Sequence, residues 1–196
     1  MVFKRSVPRR KYRQYQSYRR LLRADFQNRC AYCLRHEYHV GGEGHCCIDH
    51  YRPRRGPFAR PDLEAEYTNL YWACQECNSI KGDTWPDEEE WEQGFRWIDP
   101  CQPEGDHDLH WLVNPDGTLQ PRTPAGEYTI ENLMLWRPIL QDWRAEMYQN
   151  QQEAREIERN LLLRLPSRER KFLERRLKQI MRWIEPPVFD RPHRAG

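Results

Sequence analysis

The chain has 196 residues, of which 38% are hydrophobic and 32% charged, and its formal net charge is +2. Eight Trp, ten Tyr and six Phe argue against general disorder, because aromatic side chains bury large areas per residue. No apolar run approaches the roughly 18 residues that a membrane-spanning helix needs, and no apolar stretch of a secretory signal follows the basic N-terminus. These features exclude a spanning protein, predict no membrane partner and make the cytoplasm the expected location.

The charge is distributed unevenly along the chain. Residues 1–60 carry a net charge of +11, residues 61–110 carry −12, and the remainder carries +3. A basic block of this size predicts contact with a polyanion. The acidic run from Asp87 to Glu90 is interpreted as a solvated helix start, because consecutive carboxylates on a helix point in different directions.

Residues 1–28 are predicted to form a basic N-terminal helix, with the helix itself over residues 8–28. Its apolar residues recur at three- and four-residue spacing and form one stripe: Tyr12, Tyr15, Tyr18, Leu22 and Phe26. The arginines lie largely off that stripe, so the helix can pack on one side and present a basic side. From that side we expect Arg13 and Arg20 to contact nucleic acid.

The rest of the chain divides into four segments. Residues 29–99 are predicted to be a compact core, with a strand over 45–51 and a helix entered after Cys77. A loop-rich connector follows over 100–128, with a strong turn signal at Asn114-Pro115-Asp116-Gly117. Residues 129–187 are predicted to be helical and 188–196 a flexible tail.

Prolines are expected to divide the helical C-terminal segment. Pro138 predicts a kink or a helix start, and Pro166 ends the helix that precedes it. Ser167 is predicted to cap a last helix. The apolar face of that helix recurs at three- and four-residue spacing: Leu173, Leu177, Ile180 and Ile184.

Four of the seven cysteines form two C-x-x-C pairs, Cys30/Cys33 and Cys74/Cys77. Four thiolates at this spacing suit the tetrahedral geometry of a structural Zn²⁺, and four protein ligands leave no open position for catalysis. Buried or redox-active cysteines are the alternative. Cys46 and Cys47, in the predicted strand, are interpreted as packing residues.

Between and beside the cysteine pairs lies a set of residues suited to phosphodiester hydrolysis. His50 has the unperturbed pKa of a general base at the end of the predicted strand. Asp49 and Asn78 offer oxygen ligands of the kind that Mg²⁺ or Mn²⁺ prefers. Three arginines directly after the base, Arg52, Arg54 and Arg55, are expected to contact the phosphate backbone.

The series C-x-x-C, Asp-His, Asn-Leu, C-x-x-C-Asn and Lys-Gly resembles the HNH endonuclease superfamily of the ββα-metal type with a four-cysteine zinc site. The resemblance covers about residues 28–85. It implies that His50 is the general base, Asp49 and Asn78 are ligands of the catalytic ion, and Asn69 orients the base through its loop. It also implies that Lys81 contacts a phosphate.

The expected fold is therefore α+β: a small zinc-stabilised ββα-metal HNH core with an N-terminal helix and a mainly helical C-terminal region. The expected activity is metal-dependent hydrolysis of DNA, with structural Zn²⁺ and catalytic Mg²⁺ or Mn²⁺. The flanking segments are similar to HNH proteins of bacterial anti-phage defence, of the Septu and retron-associated kinds. That similarity implies an ATPase partner of the SMC-like or ABC type, docked on the C-terminal helices.

Two other functions remain open at the level of sequence. The first is a zinc-ribbon module that binds nucleic acid and in which Asp49 and His50 are structural. The second is a nuclease subunit that is active only inside a complex. Cleavage by the isolated protein would distinguish both from an autonomous nuclease.

Overall fold

The computed structural model describes residues 2–187, so the predicted tail over 188–196 lies outside the described residues. The fold is α+β, with about half of the residues in helices and with two small antiparallel sheets. In chain order the elements are α1 Arg19–Asp25, β1 Cys46–His50, β2 Leu70–Cys74, α2 Gln75–Lys81, α3 Glu88–Glu92, α4 His107–His110, β3 Trp111–Val113, β4 Leu119–Pro121, α5 Pro124–Asn132, α6 Pro138–Leu161 and α7 Ser167–Ile184.

The hairpin of β1 and β2 forms the centre of the N-terminal half. The two strands are antiparallel, in a register that runs from Cys46 opposite Cys74 to His50 opposite Leu70. All five residues of β2 are buried, because α1 and α2 both pack against this strand. The strand predicted over 45–51 is confirmed to within one residue at each end.

Helix α2 begins earlier than predicted. The Cys74 side chain occupies the N-cap position and accepts the backbone N–H of Cys77, so the helix starts at Gln75 rather than after Cys77. Asn78 consequently lies within α2 and not at its first turn. Strand β2 leads into α2 without a loop, so the strand–strand–helix unit is continuous at this point.

The predicted helix over residues 8–28 is wrong in its first half. A short 3₁₀ turn over Tyr15–Tyr18 leads into α1, and residues 2–14 have no helical structure. Long-range contacts hold the start of this segment against the core: the buried Phe3 donates its N–H to the Pro100 carbonyl at 2.8 Å, and Arg5 lies 4.5 Å from the centre of the Tyr71 ring. Local periodicity cannot reveal such contacts, because both partners are far away in the sequence.

The C-terminal region consists of separate helices. Helices α5 and α6 are divided at residues 133–137, where Met134 adopts a positive φ of 49°, and Pro138 is the first residue of α6. Ser167 is the first residue of α7 and makes no capping hydrogen bond, so its predicted capping role is wrong. Within residues 2–187 no helix is long and apolar enough to cross a bilayer.

The predicted turn at residues 114–117 joins β3 to β4 and fastens the connector to α6. Gly117 has a φ of 81°, and a Cβ at this position would lie 1.9 Å from the Gln141 carbonyl oxygen. Arg144 of α6 donates to the Gly117 carbonyl at 2.6 Å. Only glycine therefore allows both the turn and the close approach of α6.

The far end of the chain returns to the N-terminal half. Helix α7 packs its predicted apolar face on Ala154 and Ile157 of α6. At its C-terminus the carbonyls of Trp183 and Ile184 accept hydrogen bonds from His39 and Arg29. These donors satisfy carbonyl groups that a helix end otherwise leaves without partners.

His36 next to this junction makes stability dependent on pH. The side chain is 4% exposed, its Nδ1 accepts the Tyr38 N–H at 3.2 Å, and burial lowers its pKa to about 4. The unfolded chain takes up a proton near pH 6.5 while the folded chain does not, so stability falls with pH between 6.5 and 4.

We expect a stability loss of up to about 2 kcal/mol between pH 7 and pH 5 from this residue alone. The measurement is urea unfolding at both pH values for the wild type and His36→Asn, because Asn keeps an acceptor and does not titrate. An equal loss in the two proteins would contradict the prediction.

Candidate metal centre and active site

The two C-x-x-C pairs meet in one cluster. The Sγ atoms of Cys30, Cys33, Cys74 and Cys77 all lie within 4.8 Å of one another, and the Cys33 and Cys74 sulfurs are 3.9 Å apart. Tetrahedral Zn–S bonds separate sulfurs by about 3.8 Å, so the spacing and the donor set fit zinc. All four side chains are buried, and all seven cysteines are free of disulfides. The cluster could therefore bind a metal ion such as zinc.

Backbone hydrogen bonds hold the first pair against the hairpin. The Ala31 N–H donates to the Trp72 carbonyl at 2.8 Å, which fastens this loop to β2. The second pair spans the junction of β2 and α2. Each pair is thus positioned by the hairpin, and their meeting depends on the fold of the whole unit.

Three arginines surround the cluster. Arg35, Arg137 and Arg144 are each less than one tenth exposed, and Nη2 of Arg137 lies 3.7 Å from the Cys77 sulfur. Arg35 and Arg137 also pair with Glu76. Within residues 2–187 Arg144 bonds only carbonyl oxygens, and burial lowers its pKa to about 10. Four thiolates around Zn²⁺ carry a net charge of −2, so these arginines fit a zinc centre as its counter-charges.

Asp49 lies on β1 and is turned towards α2. Its carboxylate pairs with Nζ of Lys81 at 3.2 Å and accepts a hydrogen bond from the Tyr32 hydroxyl. The Lys81 ammonium also donates to the His50 carbonyl at 2.8 Å and is completely buried. Lys81 therefore neutralises a buried carboxylate, and the prediction that it contacts a phosphate is contradicted by its burial.

His50, the next residue, is turned towards the loop that joins the strands. Its Nε2 lies 3.0 Å from the Glu64 carbonyl oxygen, and its ring packs edge-on against Tyr15. A carbonyl can only accept, so Nε2 carries the hydrogen and Nδ1 keeps a free lone pair. Burial lowers the pKa of His50, so its neutral form prevails at pH 7.

Asn69 closes the neck of that loop. Its Oδ1 accepts the Arg52 N–H at 2.8 Å, and its Nδ2 donates to the carbonyls of Arg52 and Leu63. Leu63 directly precedes Glu64, the residue that bonds His50. The amide of Asn69 thus fixes the segment that orients the imidazole.

Asn78 lies on α2 one turn before Lys81, so both residues share the side of α2 that faces Asp49. Its side chain is half-buried and, within residues 2–187, makes no hydrogen bond. The contact of Asp49 Oδ1 with Lys81 Nζ is long, at 3.5 Å. Both side chains therefore retain oxygen lone pairs that a divalent cation could use.

The predicted phosphate-contacting arginines differ in their surroundings. Arg52 stacks on Trp85 at 4.1 Å, and Arg54 pairs with Glu64 at 2.7 Å. Arg55, Arg13 and Arg20 are exposed and, within the described part of the chain, have no acidic partner. These three are available to a polyanion without breaking an existing contact.

Sequence reasoning missed the residues that support the site from outside the motif. Tyr32 lies within the first C-x-x-C pair, and Glu64 acts through its backbone carbonyl, which carries no side-chain signal. Arg137 and Arg144 come from the C-terminal helices. Only the fold brings these groups to the metal centre and to β1.

Comparisons with known proteins give no relative for this chain: no family model, curated protein or solved structure matches it.

Proposed function

We propose that this protein is a metal-dependent endonuclease of the HNH type that hydrolyses DNA phosphodiester bonds. The observation that carries the proposal is the arrangement of His50, whose Nε2–H donates to the Glu64 carbonyl while Nδ1 remains free to accept a proton. This histidine lies beside a buried Asp49 at the end of β1. The hairpin and α2 around it hold the four-cysteine cluster.

In this proposal His50 is the general base. Nδ1 takes a proton from water, and the imidazolium that forms is stabilised by its hydrogen bond to the Glu64 carbonyl. Asn69 keeps that carbonyl in place through its bonds to the loop. A phosphodiester that meets both Asp49 and His50 must lie at the end of β1, because neighbouring strand residues face opposite sides.

The residues that would hold the catalytic ion are Asp49 and Asn78, whose oxygens suit Mg²⁺ or Mn²⁺. When bound, such an ion supplies positive charge that stabilises the phosphoryl oxygen and the leaving 3′-oxygen. The Lys81 ammonium pairs with the Asp49 carboxylate at 3.2 Å and fixes it in position. Water and the substrate phosphate would supply the other ligands of such an ion.

The decisive experiment is cleavage of supercoiled plasmid by the purified protein with Mg²⁺, with Mn²⁺ and with a chelator. We expect nicked or linear product with either ion and none with the chelator. A protein that retains DNA but cuts under no condition would contradict the proposal for the isolated chain.

The Tyr32 hydroxyl provides a test of how Asp49 is positioned. Removing it in Tyr32→Phe leaves Asp49 held by Lys81 alone. We expect the Mg²⁺ concentration at half-maximal rate to rise about tenfold, and the free energy of unfolding to fall by about 1.5–3 kcal/mol. The measurement is the Mg²⁺ concentration at half-maximal rate.

Tyr71→Phe is the matched control, because it also removes the hydrogen bond of a buried tyrosine to an aspartate, in this case the half-buried Asp99 at 2.6 Å. It should lower stability and leave the Mg²⁺ dependence unchanged. The same Mg²⁺ shift in both variants would mean that the effect is one of stability alone.

The Lys81–Asp49 pair favours a second candidate, a zinc-dependent nucleic-acid-binding module. A carboxylate that is already neutralised at 3.2 Å can serve as a structural group. Under this alternative the protein binds DNA, and neither cation promotes cleavage. The plasmid experiment therefore separates the two functions.

The turn between α6 and α7 favours a nuclease that works inside a complex. Leu162 and Leu163 in this turn are 86% and 59% exposed, and Phe172 in the second turn of α7 is 67% exposed. Exposed apolar side chains of this size are typical of a protein interface. An ATPase that docks on these helices would fit this alternative, and co-purification with cleavage restored in the complex would support it.

A further inference from the structure

Helix α7 carries a basic surface that the candidate active site does not use. The helix has 18 residues, with seven basic and two acidic side chains. Five of the basic residues recur at three- and four-residue spacing and form a line along the helix, called the basic stripe below: Arg168, Lys171, Arg175, Lys178 and Arg182.

The stripe lies opposite the face of α7 that packs on α6. The packed face consists of residues spaced from the stripe by half a turn, including Leu173, Leu177 and Ile180. All five residues of the stripe are exposed, and both acidic residues of α7 lie off it. The stripe is therefore a continuous cationic surface that points to solvent.

The stripe is distinct from the basic residues that stabilise the helix pair. Arg176 pairs with Glu153 of α6 at 2.6 Å, and Arg170 donates to the Leu161 carbonyl at the end of α6. No acidic side chain between residues 2 and 187 pairs with any of the five. Like charges three or four residues apart destabilise a helix, and within α7 only Glu174, spaced in this way from Lys171 and Lys178, offsets the repulsion along the stripe. A polyanion would remove the remainder.

We infer that the basic stripe binds the phosphate backbone of double-stranded DNA, independently of sequence. From Arg168 to Arg182 it spans about 21 Å, equivalent to about six base-pair steps along one strand. The stripe contains no large apolar side chain of the kind that anchors protein interfaces, and Phe172 lies at its edge. A membrane is disfavoured because the apolar face of α7 is already covered by α6.

This surface extends the proposed function, because it would be a DNA-binding surface separate from His50. The inference concerns binding alone. A protein that binds duplex through the stripe and cuts nothing would contradict the nuclease proposal and leave this inference intact.

The experiment measures the affinity of the full chain for a labelled duplex by fluorescence anisotropy over a series of salt concentrations, without added divalent cation. The test variant combines Lys171→Gln, Arg175→Gln and Lys178→Gln. The matched control combines Arg155→Gln, Arg159→Gln and Arg164→Gln, which removes the same charge from exposed positions off the stripe. Circular dichroism of both variants confirms that the helices are retained.

We expect the test variant to bind at least about tenfold more weakly at low salt, with a salt slope that is shallower by up to about 2.7, and the control to resemble the wild type. Two unrelated duplex sequences should be affected equally. Unchanged affinity and slope in the test variant, or equal losses in both variants, would overturn the inference. Wild-type binding to anionic vesicles or an acidic protein but not to duplex would also overturn it.

Discussion

His50→Ala is expected to lower the rate of metal-dependent plasmid cleavage by about 10²–10⁴-fold, the range that a general base contributes. The substitution removes the imidazole at the end of β1, whose Nε2–H bond to the Glu64 carbonyl fixes its orientation and leaves the Nδ1 lone pair free. It also removes one hydrogen bond, which costs about 1 kcal/mol and leaves the fold intact. The measurement is initial rate in Mg²⁺ and in Mn²⁺, with zinc content and thermal unfolding determined on the same samples.

His45→Ala is the matched control for this variant. His45 precedes β1 in the same segment, is exposed, and lies outside the contacts that orient His50. It should cleave plasmid at the wild-type rate. Full activity in His50→Ala would refute the assigned base, and equal loss in both variants would indicate a general effect on the hairpin.

Cys74→Ser is expected to abolish zinc binding and cooperative folding together. Structural zinc contributes about 10–16 kcal/mol to the folding of small zinc domains, which is comparable to the whole stability of a typical folded protein, about 5–15 kcal/mol. The Cys74 sulfur also caps α2, so the substitution affects the junction of strand and helix. Zinc stoichiometry by mass spectrometry and thermal unfolding are the measurements.

Cys46→Ser provides a closely matched control. Cys46 is also buried and pairs directly with Cys74 across the hairpin, but it is not part of the four-cysteine cluster. It should lose some stability and retain zinc. A folded, zinc-free Cys74→Ser protein would contradict a structural metal site.

Loss of zinc should also release the C-terminal helices. Arg144 is buried next to the cluster and donates to backbone carbonyls, so without thiolate charge it has no counter-charge among the described residues, whereas Arg137 keeps its ion pair with Glu76 at 3.2 Å. Burying an uncompensated charge is costly, so the first turns of α6 would separate from the cluster. The four-cysteine cluster thus contacts the start of α6 and lies between the two halves of the molecule.

The spacing within each C-x-x-C pair predicts two sulfurs for one ion, whereas the meeting of the two pairs depends on the hairpin. Two residues between paired cysteines place both sulfurs within reach of one ion, whatever surrounds them, and the structure brings both pairs together as predicted. The strand of Asp49 and His50 and the turn at residues 114–117 were equally predictable, because their signals lie within a few residues. Likewise, the apolar face of α7 follows directly from its periodicity.

Tertiary structure decided the features that depend on distant partners. The sequence allowed a helix from residue 8, but Phe3 and Arg5 are held by Pro100 and Tyr71, which no local pattern records. Lysine is usually found at the protein surface, but the fold buries Lys81 and pairs it with Asp49. Its role changes for that reason from a contact with phosphate to the support of a carboxylate.

The sequence by itself determined which atoms are available for chemistry: four thiols, a carboxylate, an imidazole and two amides, in an order that resembles one superfamily. The fold decided which of them are free to act. The bond to the Glu64 carbonyl sets the tautomer of His50, and the Tyr32 hydroxyl takes up one oxygen of Asp49. Short-range spacing is written in the chain, whereas the pairing of charges across 30 residues or more depends on packing, as the Lys81 and Asp49 pair shows.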